Sequence, residues 1–292
     1  MWEFDFLGEL PSETPRVIAS TVKAIQSAVR RNSHHPYIVI EHIGPQIVER
    51  LVDSPHLRVA KSSKIFYDEN LRKLIIKAPS VIHETASRAF NRILDGHLRF
   101  HGLTEEVRFI GSGKVRDGGY AKEPDESYYP LRVIPVRDMK WPTVVLEVGY
   151  SECFSRLRLD GRWWLGRSGG LVKVVILLSI DRSRPRIVIE KWETVAPAHS
   201  YHLRSQSPSP QLTAEVTVTL VNDDHVTTGA PLAICVDDLL MYPVPIGVTF
   251  QFDDRDLISL ARAIWMEQQF VQRPQLRCLL CFRGQPNRVI VK

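Results

Sequence analysis

The sequence predicts an α/β fold, a central mixed sheet flanked by helices with additions at both ends. Three observations support this. Between residues 64 and 195, short runs rich in Val, Ile and aromatic residues alternate with amphipathic stretches of helical period. The order there is helix, strand, strand with an acid, strand with an acid, helix, strand. No internal repeat or heptad run is present to argue for a solenoid or a coiled coil.

The elements follow in order. Residues 12–31 (SETPRVIASTVKAIQSAVRR) read as one helix, capped by Ser12 or Thr14, with Pro15 at its first position. A short strand is expected over 37–40 and a short helix over 45–52. Residues 64–67 and 72–77 read as paired strands around the turn Asp68-Glu69-Asn70. Ser80 caps a helix over 81–98, whose stripe is Ala86, Ala89, Phe90, Ile93 and Leu94. A strand over 107–115 is weakened by Gly111 and Gly113, and a turn follows at Asp117-Gly118-Gly119. Strands are expected over 125–129 and 143–148. A helix then runs over 154–167, stopped by Ser168-Gly169-Gly170. Strands over 171–180 and 186–194 complete this part. Pro, Ser and His dominate residues 196–211, which read as a surface loop or linker. Beyond it lie strands over 213–220 and 231–236 and a helix over 254–269. The expected organisation is an N-terminal helical extension (1–62), a core (63–195) and a C-terminal α+β extension packed on the core (196–292).

Composition sets bounds. The 292 residues suffice for one large domain or two modest ones. Hydrophobic content of 44% and charged content of 24% are ordinary for a soluble globular protein. The longest apolar run, residues 171–180, is interrupted by Lys173 and falls short of the roughly 20 residues of a membrane helix. No membrane partner is therefore expected. The start MWEFDF lacks the basic and apolar regions of a signal peptide. Cys153, Cys235, Cys278 and Cys281 do not read as a disulfide framework. An intracellular setting, cytoplasm or nucleus, is the expectation. A net charge of +5 is compatible with a polyanionic partner without requiring one.

Two acids carry the chemistry. Asp125 ends KEPD (122–125), and Glu147 lies within PTVVLEVGYSE (142–152), 22 residues later. Carboxylates on neighbouring strands make a hard-oxygen pocket suited to Mg²⁺. Such an ion polarises a phosphodiester and activates a water. Taken alone, Asp125 after Pro124 reads as a turn acid. Glu147 follows Val144, Val145 and Leu146 in a run that should be buried, where an unpaired carboxylate is costly. A metal, a basic partner or a structural salt bridge would resolve that cost. Arg156, Arg158, Arg162 and Arg167 fit a solvated helix face and phosphate contact equally well. Trp163, Trp164 and Trp265 read as core or interface anchors. Cys278-x-x-Cys281 and His199-x-x-His202 have zinc-ligand spacing, but chance cysteines in a C-terminal strand are the simpler reading.

The segment RKLIIKAPSVIHETASRAFNRIL (72–94), then KEPD, then VVLEVGYSE (144–152) resembles the PD-(D/E)XK nuclease-like superfamily, with its restriction-endonuclease-like fold. The resemblance is closest to fungal members and spans about residues 64 to 195. It implies a Mg²⁺- or Mn²⁺-dependent endonuclease acting on nucleic acid, DNA before RNA. Asp125 and Glu147 would ligate the metal, and the Val148 carbonyl would add a third oxygen. Glu84 would orient a metal-bound water. One departure stands out: the lysine of E-x-K is Gly149 here. A cation supplied from elsewhere is expected, and Lys173, Arg158 and Arg162 are the candidates. Alternation puts Lys173 on the strand face of Leu171 and Val175. Arginine clamps phosphate but does not act as a base. Ser151, Glu152 and Asp160 would border the pocket. The missing lysine favours an alternative, a catalytically inactive nuclease-fold protein that binds nucleic acid or protein. Such nucleases often cut duplexes in pairs, so a homodimer is compatible, although no sequence feature specifies one.

Overall fold

Two mixed sheets share a core and place the acids between them. The computed structural model describes residues 4–53, 63–78, 80–150, 154–196, 208–242 and 247–272. The chain runs β1 (Arg16–Ile18), α1 (Val22–Arg31), β2 (Tyr37–Glu41), α2 (Pro45–Asp53), β3 (Lys64–Asp68), β4 (Lys73–Lys77) and α3 (Val81–Phe100). Next come β5 (Val107–Phe109), β6 (Val115–Asp117), β7 (Tyr120–Lys122), β8 (Glu126–Pro130), β9 (Val144–Gly149), α4 (Phe154–Arg167) and β10 (Val174–Ile180). The last part is β11 (Arg186–Val195), β12 (Ser209–Val221), β13 (Asp224–Thr228), β14 (Leu232–Cys235), α5 (Val236–Leu240), β15 (Thr249–Phe252) and α6 (Asp254–Glu267). This is the α/β architecture of mixed sheets flanked by helices that the sequence predicts. Among the described residues no helix is long and apolar enough to cross a membrane.

The larger sheet has the order β13-β12-β11-β10-β9-β8-β5, and the smaller has β1-β2-β4-β3-β7-β6. Strands β9 and β10 are parallel, with Leu177 opposite Glu147, and α4 connects them. Alternation along β9 sorts its side chains between two cores. Val144, Leu146 and Val148 pack with α3, α6 and the β14–β15 pair. Val145 faces the other way, with Leu157, Trp163 and Trp164 of α4 and with Tyr37, Phe66 and Ile75 of the smaller sheet. The outer face of the smaller sheet buries Ile38, Ile40, Ile65, Leu74 and Ile76 under α1 and α2.

Local rules explain most boundaries. Ser80 accepts from the His83 amide and starts α3, as expected. The single helix expected over 12–31 is corrected. Arg16–Ile18 forms a strand parallel to β2, and Thr21 is the cap that starts α1. Val17 and Ile18 suit the pleat, and a helix through them would leave β2 unpaired on that edge. The strand expected over 107–115 splits into β5 and β6 around Gly111, which adopts a positive φ. Strands β7, β13 and β15 and helix α5 were not expected. Pairing crosses both boundaries of the expected organisation. The smaller sheet draws strands from either side of residue 62, and β11 pairs with β12.

Thr143 ties the C-terminal part to the core. It is fully buried, and its Oγ1 donates toward Leu239 O at 2.7 Å and Tyr128 O at 3.1 Å. Thr143→Val keeps the shape and strands a buried carbonyl. It should lower stability by about 1–3 kcal/mol, read as a lower midpoint in urea unfolding.

Candidate functional site

The chain passes from the smaller sheet to the larger between Lys122, which ends β7, and Glu126, which starts β8. Asp125 sits in that crossing. Its Oδ2 accepts from the Val148 amide at 2.7 Å, so the carboxylate extends the β8–β9 ladder by one bond. Lys77, the last residue of β4, reaches across from the opposite sheet. Its Nζ lies 2.5 Å from Asp125 Oδ2, 2.7 Å from Val148 O and 3.7 Å from Glu147 Oε2. The two acids and the carbonyl picked out in the sequence thus converge on one cation, a lysine ammonium.

Behind this point the network continues inward. Trp164 Nε1 donates to Glu147 Oε1 at 2.7 Å, and Lys122 Nζ stands 3.9 Å from the same oxygen. Lys122 donates to Asp160 at 2.8 Å and lies 4.1 Å from the centre of the Phe66 ring. Arg156 donates to Asp160 at 3.0 Å and to the carbonyls of Phe6 and Gly8. All these groups lie in the interior. Glu147 is 3% exposed, Asp125 6% and Arg156 1%. Three acids face three bases, and each charge has a partner, which is the condition for burying any of them.

The electrostatics follow from that packing. Burial acts to raise Asp125, but Lys77, His83 and Lys64 outweigh it and hold the carboxyl down at about 2. Burial dominates at Glu147 and lifts it to about 7, against the pull of Lys122 and Lys77. Burial acts to lower Lys77, yet Asp125 and Glu147 prevail and raise it well above the ordinary lysine range. Tyr37, opposite Lys77 in the sheet register, is pushed up to about 12, chiefly by burial. His83 in the first turn of α3 is lowered to about 4 by burial and by Lys77. Its Nδ1 lies 2.6 Å from Ser80 Oγ.

Other expected residues fall elsewhere. Glu84 is in the first turn of α3, partly exposed, and pairs with Arg88 at 3.2 Å. The expectation that Lys173, Arg158 or Arg162 replaces the missing lysine is corrected. Lys173 precedes β10, with its amide on Thr143 O. It is four residues before Leu177, the partner of Glu147, or about 13 Å along the strand. Its charge acts on Asp238. Arg158 closes on Glu190, with Nε 3.1 Å from both carboxylate oxygens. Arg162 lies over the Trp192 ring. Asp160 joins the network, as a partner of Lys122 and Arg156 rather than as a pocket border. Ser151, Glu152, His199, His202, Cys153, Cys278 and Cys281 lie outside the described residues.

Gly149 has a steric reason. A Cβ there would meet Leu157 Cδ2 at 3.2 Å, because α4 packs closely on that face of β9. A lysine at 149 would require the Leu157 side chain to give by about a few tenths of an ångström. Sequence reading missed Lys77, Lys122 and Trp164. Lys122 stood inside the KEPD motif, and Lys77 falls in alternation with Ile75, which faces the shared core.

The donor set is chemically suited to a hard divalent cation, since all three donors are oxygens. Among the described residues no group of three or more His, Cys, Asp or Glu side chains could hold a metal. Two carboxylates and a carbonyl would leave further positions to water and a substrate phosphate, as Mg²⁺ commonly does.

No family model and no curated protein matches the chain. One matching solved structure is that of a candidate nuclease belonging to DUF820 from Anabaena variabilis. The match has 14% identity and a TM-score of 0.35, and covers 68% of this chain and 90% of that one. A likeness this loose carries no argument about activity.

The lowered His83 has a pH consequence. Folded His83 stays neutral while the unfolded chain takes up a proton below about 6.5, so its contribution is present above that pH and lost as pH falls toward 4. Wild type should lose up to about 3 kcal/mol relative to His83→Asn between pH 7 and pH 4. Paired chemical denaturation at each pH measures this. A difference that does not change with pH would contradict it.

Proposed function

We propose that this chain is a nuclease that hydrolyses phosphodiester bonds in nucleic acid, DNA before RNA, with Mg²⁺ or Mn²⁺ at the Asp125–Glu147 pair. One observation carries the reading. Asp125 Oδ2 from the crossing before β8, and Glu147 Oε2 and Val148 O from β9, point at a single cation position. Asp125, Glu147 and the Val148 carbonyl would hold the ion, which when bound supplies Lewis-acid polarisation of the phosphate and a more acidic water.

The remaining residues prepare the pair. Trp164 fixes one Glu147 oxygen and leaves Oε2 turned toward the cation position. The Val148 amide fixes Asp125. Lys122 and Arg156 neutralise Asp160, so this third acid does not compete for the incoming ion. Elements α3, β5, β8, β9, α4 and β10 follow one another in that order, with β6 and β7 of the smaller sheet between β5 and β8 and with Asp125 just before β8. That order supports the restriction-endonuclease-like reading.

A second reading is a binding module without catalysis. Gly149 at the lysine position and a network already neutral without a metal favour it.

Cleavage of plasmid and single-stranded DNA with Mg²⁺ or Mn²⁺ separates the two. The nuclease reading expects metal-dependent cutting, reduced to background in Asp125→Ala and Glu147→Ala. Trp164→Phe should cut about 10–100-fold more slowly, as expected when a ligand's outer partner is lost. Lys173→Ala and Arg158→Ala should cut like wild type. No cutting by wild type, or cutting retained by both acid variants, would overturn it.

A further inference from the structure

Lys77 occupies the point at which a divalent ion would sit. We propose that Lys77 is a tethered, exchangeable occupant of the cation position. On this account a divalent ion enters by displacing its ammonium, which then stands beside the pair in place of the lysine absent at Gly149. The inference rests on the nuclease reading of the Asp125–Glu147 pair.

Three observations support exchange over permanent occupancy. The contacts come first. The same three oxygens that suit a hard ion surround Lys77 Nζ, at 2.5, 2.7 and 3.7 Å. Two cations cannot share that point. Position comes second. Lys77 is the terminal residue of β4, and its side chain is 12% exposed, against 4% for Lys122. Lys122 is locked on Asp160 and against Phe66, deeper in the interior. Of the two, Lys77 is the more exposed, while its backbone stays paired with Tyr37 and Lys64.

Charge comes third. With formal charges, Asp125, Glu147 and Asp160 balance Lys77, Lys122 and Arg156. A divalent ion among the three oxygens, with the displaced ammonium still beside them, leaves the region with two excess positive charges. A bound phosphodiester carries one negative charge and offsets part of that excess. The free protein should therefore hold the metal weakly, and metal and nucleic acid should each strengthen binding of the other. Lys77 sets this coupling, because it makes the empty site neutral.

The test is calorimetric titration of wild type, Lys77→Met, Asp125→Ala and the distant control Lys173→Met with Mn²⁺, and with Ca²⁺ as a second probe. Lys77→Met should bind Mn²⁺ at least tenfold more tightly than wild type and cut DNA far more slowly. Lys173→Met should match wild type, and Asp125→Ala should lose the site. Should Lys77→Met fail to fold without metal, the wild-type lysine ammonium resonances, observed with ¹⁵N-labelled lysine, give a second reading. The Lys77 signal should move on Mg²⁺ addition and the Lys122 signal should not. Equal Mn²⁺ affinity in wild type and Lys77→Met, with binding lost in Asp125→Ala, would overturn exchange and leave the nuclease reading standing. Absence of Mn²⁺ binding at the pair in both proteins would overturn exchange and the metal-dependent reading together.

Discussion

The ion pair between Lys77 and Asp125 joins the two sheets at the point where the chain crosses from one to the other. Everything else in the site depends on it. Asp125 could not be buried at the β8–β9 edge without a cation, because an uncompensated carboxylate in that interior would cost on the order of several kcal/mol. Lys77 in turn could not project from β4 into this interior without an anion to meet it. Each sheet thus supplies the charge that makes the other sheet's charge tolerable. Breaking such a pair on one side is expected to cost about 3–5 kcal/mol.

The same physics extends inward and separates two roles. Asp160, Lys122 and Arg156 form the inner part, sealed by Trp164 and the N-terminal carbonyls of Phe6 and Gly8. Their charges are paired with one another, and they hold α4 against the smaller sheet. Asp125, Glu147 and Lys77 form the outer part, where a side chain retains some exposure. A site for chemistry needs access and unspent acceptor capacity. The outer part has both, since among the described residues Glu147 Oε2 meets the Lys77 ammonium at 3.7 Å. The inner part acts as a rigid backing.

Much of this was legible in the sequence, for identifiable reasons. The burial of Glu147 followed from the apolar run preceding it, and its pairing with Asp125 followed from strand order. The α3 cap and stripe were readable from Ser80 and the spacing of Ala86, Phe90 and Leu94. The missing cation was sought on the wrong elements. Arg158 and Lys173 are near Glu147 in sequence, but Arg158 is drawn to Glu190 and Lys173 lies toward the opposite strand end. Lys77 is 70 residues from Glu147, and only the packing of one sheet on another brings them together. Periodicity within a strand carries no information on such a contact. The strand at Arg16–Ile18 was hidden likewise, because its partner β2 lies beyond α1.

Crystals grown with Mn²⁺ and measured for anomalous scattering should show a manganese peak bounded by the Asp125 and Glu147 carboxylates and the Val148 carbonyl, with Lys77 Nζ withdrawn from all three. Manganese bound elsewhere or not at all, with Lys77 still on Asp125, would contradict exchange of Lys77 for the metal.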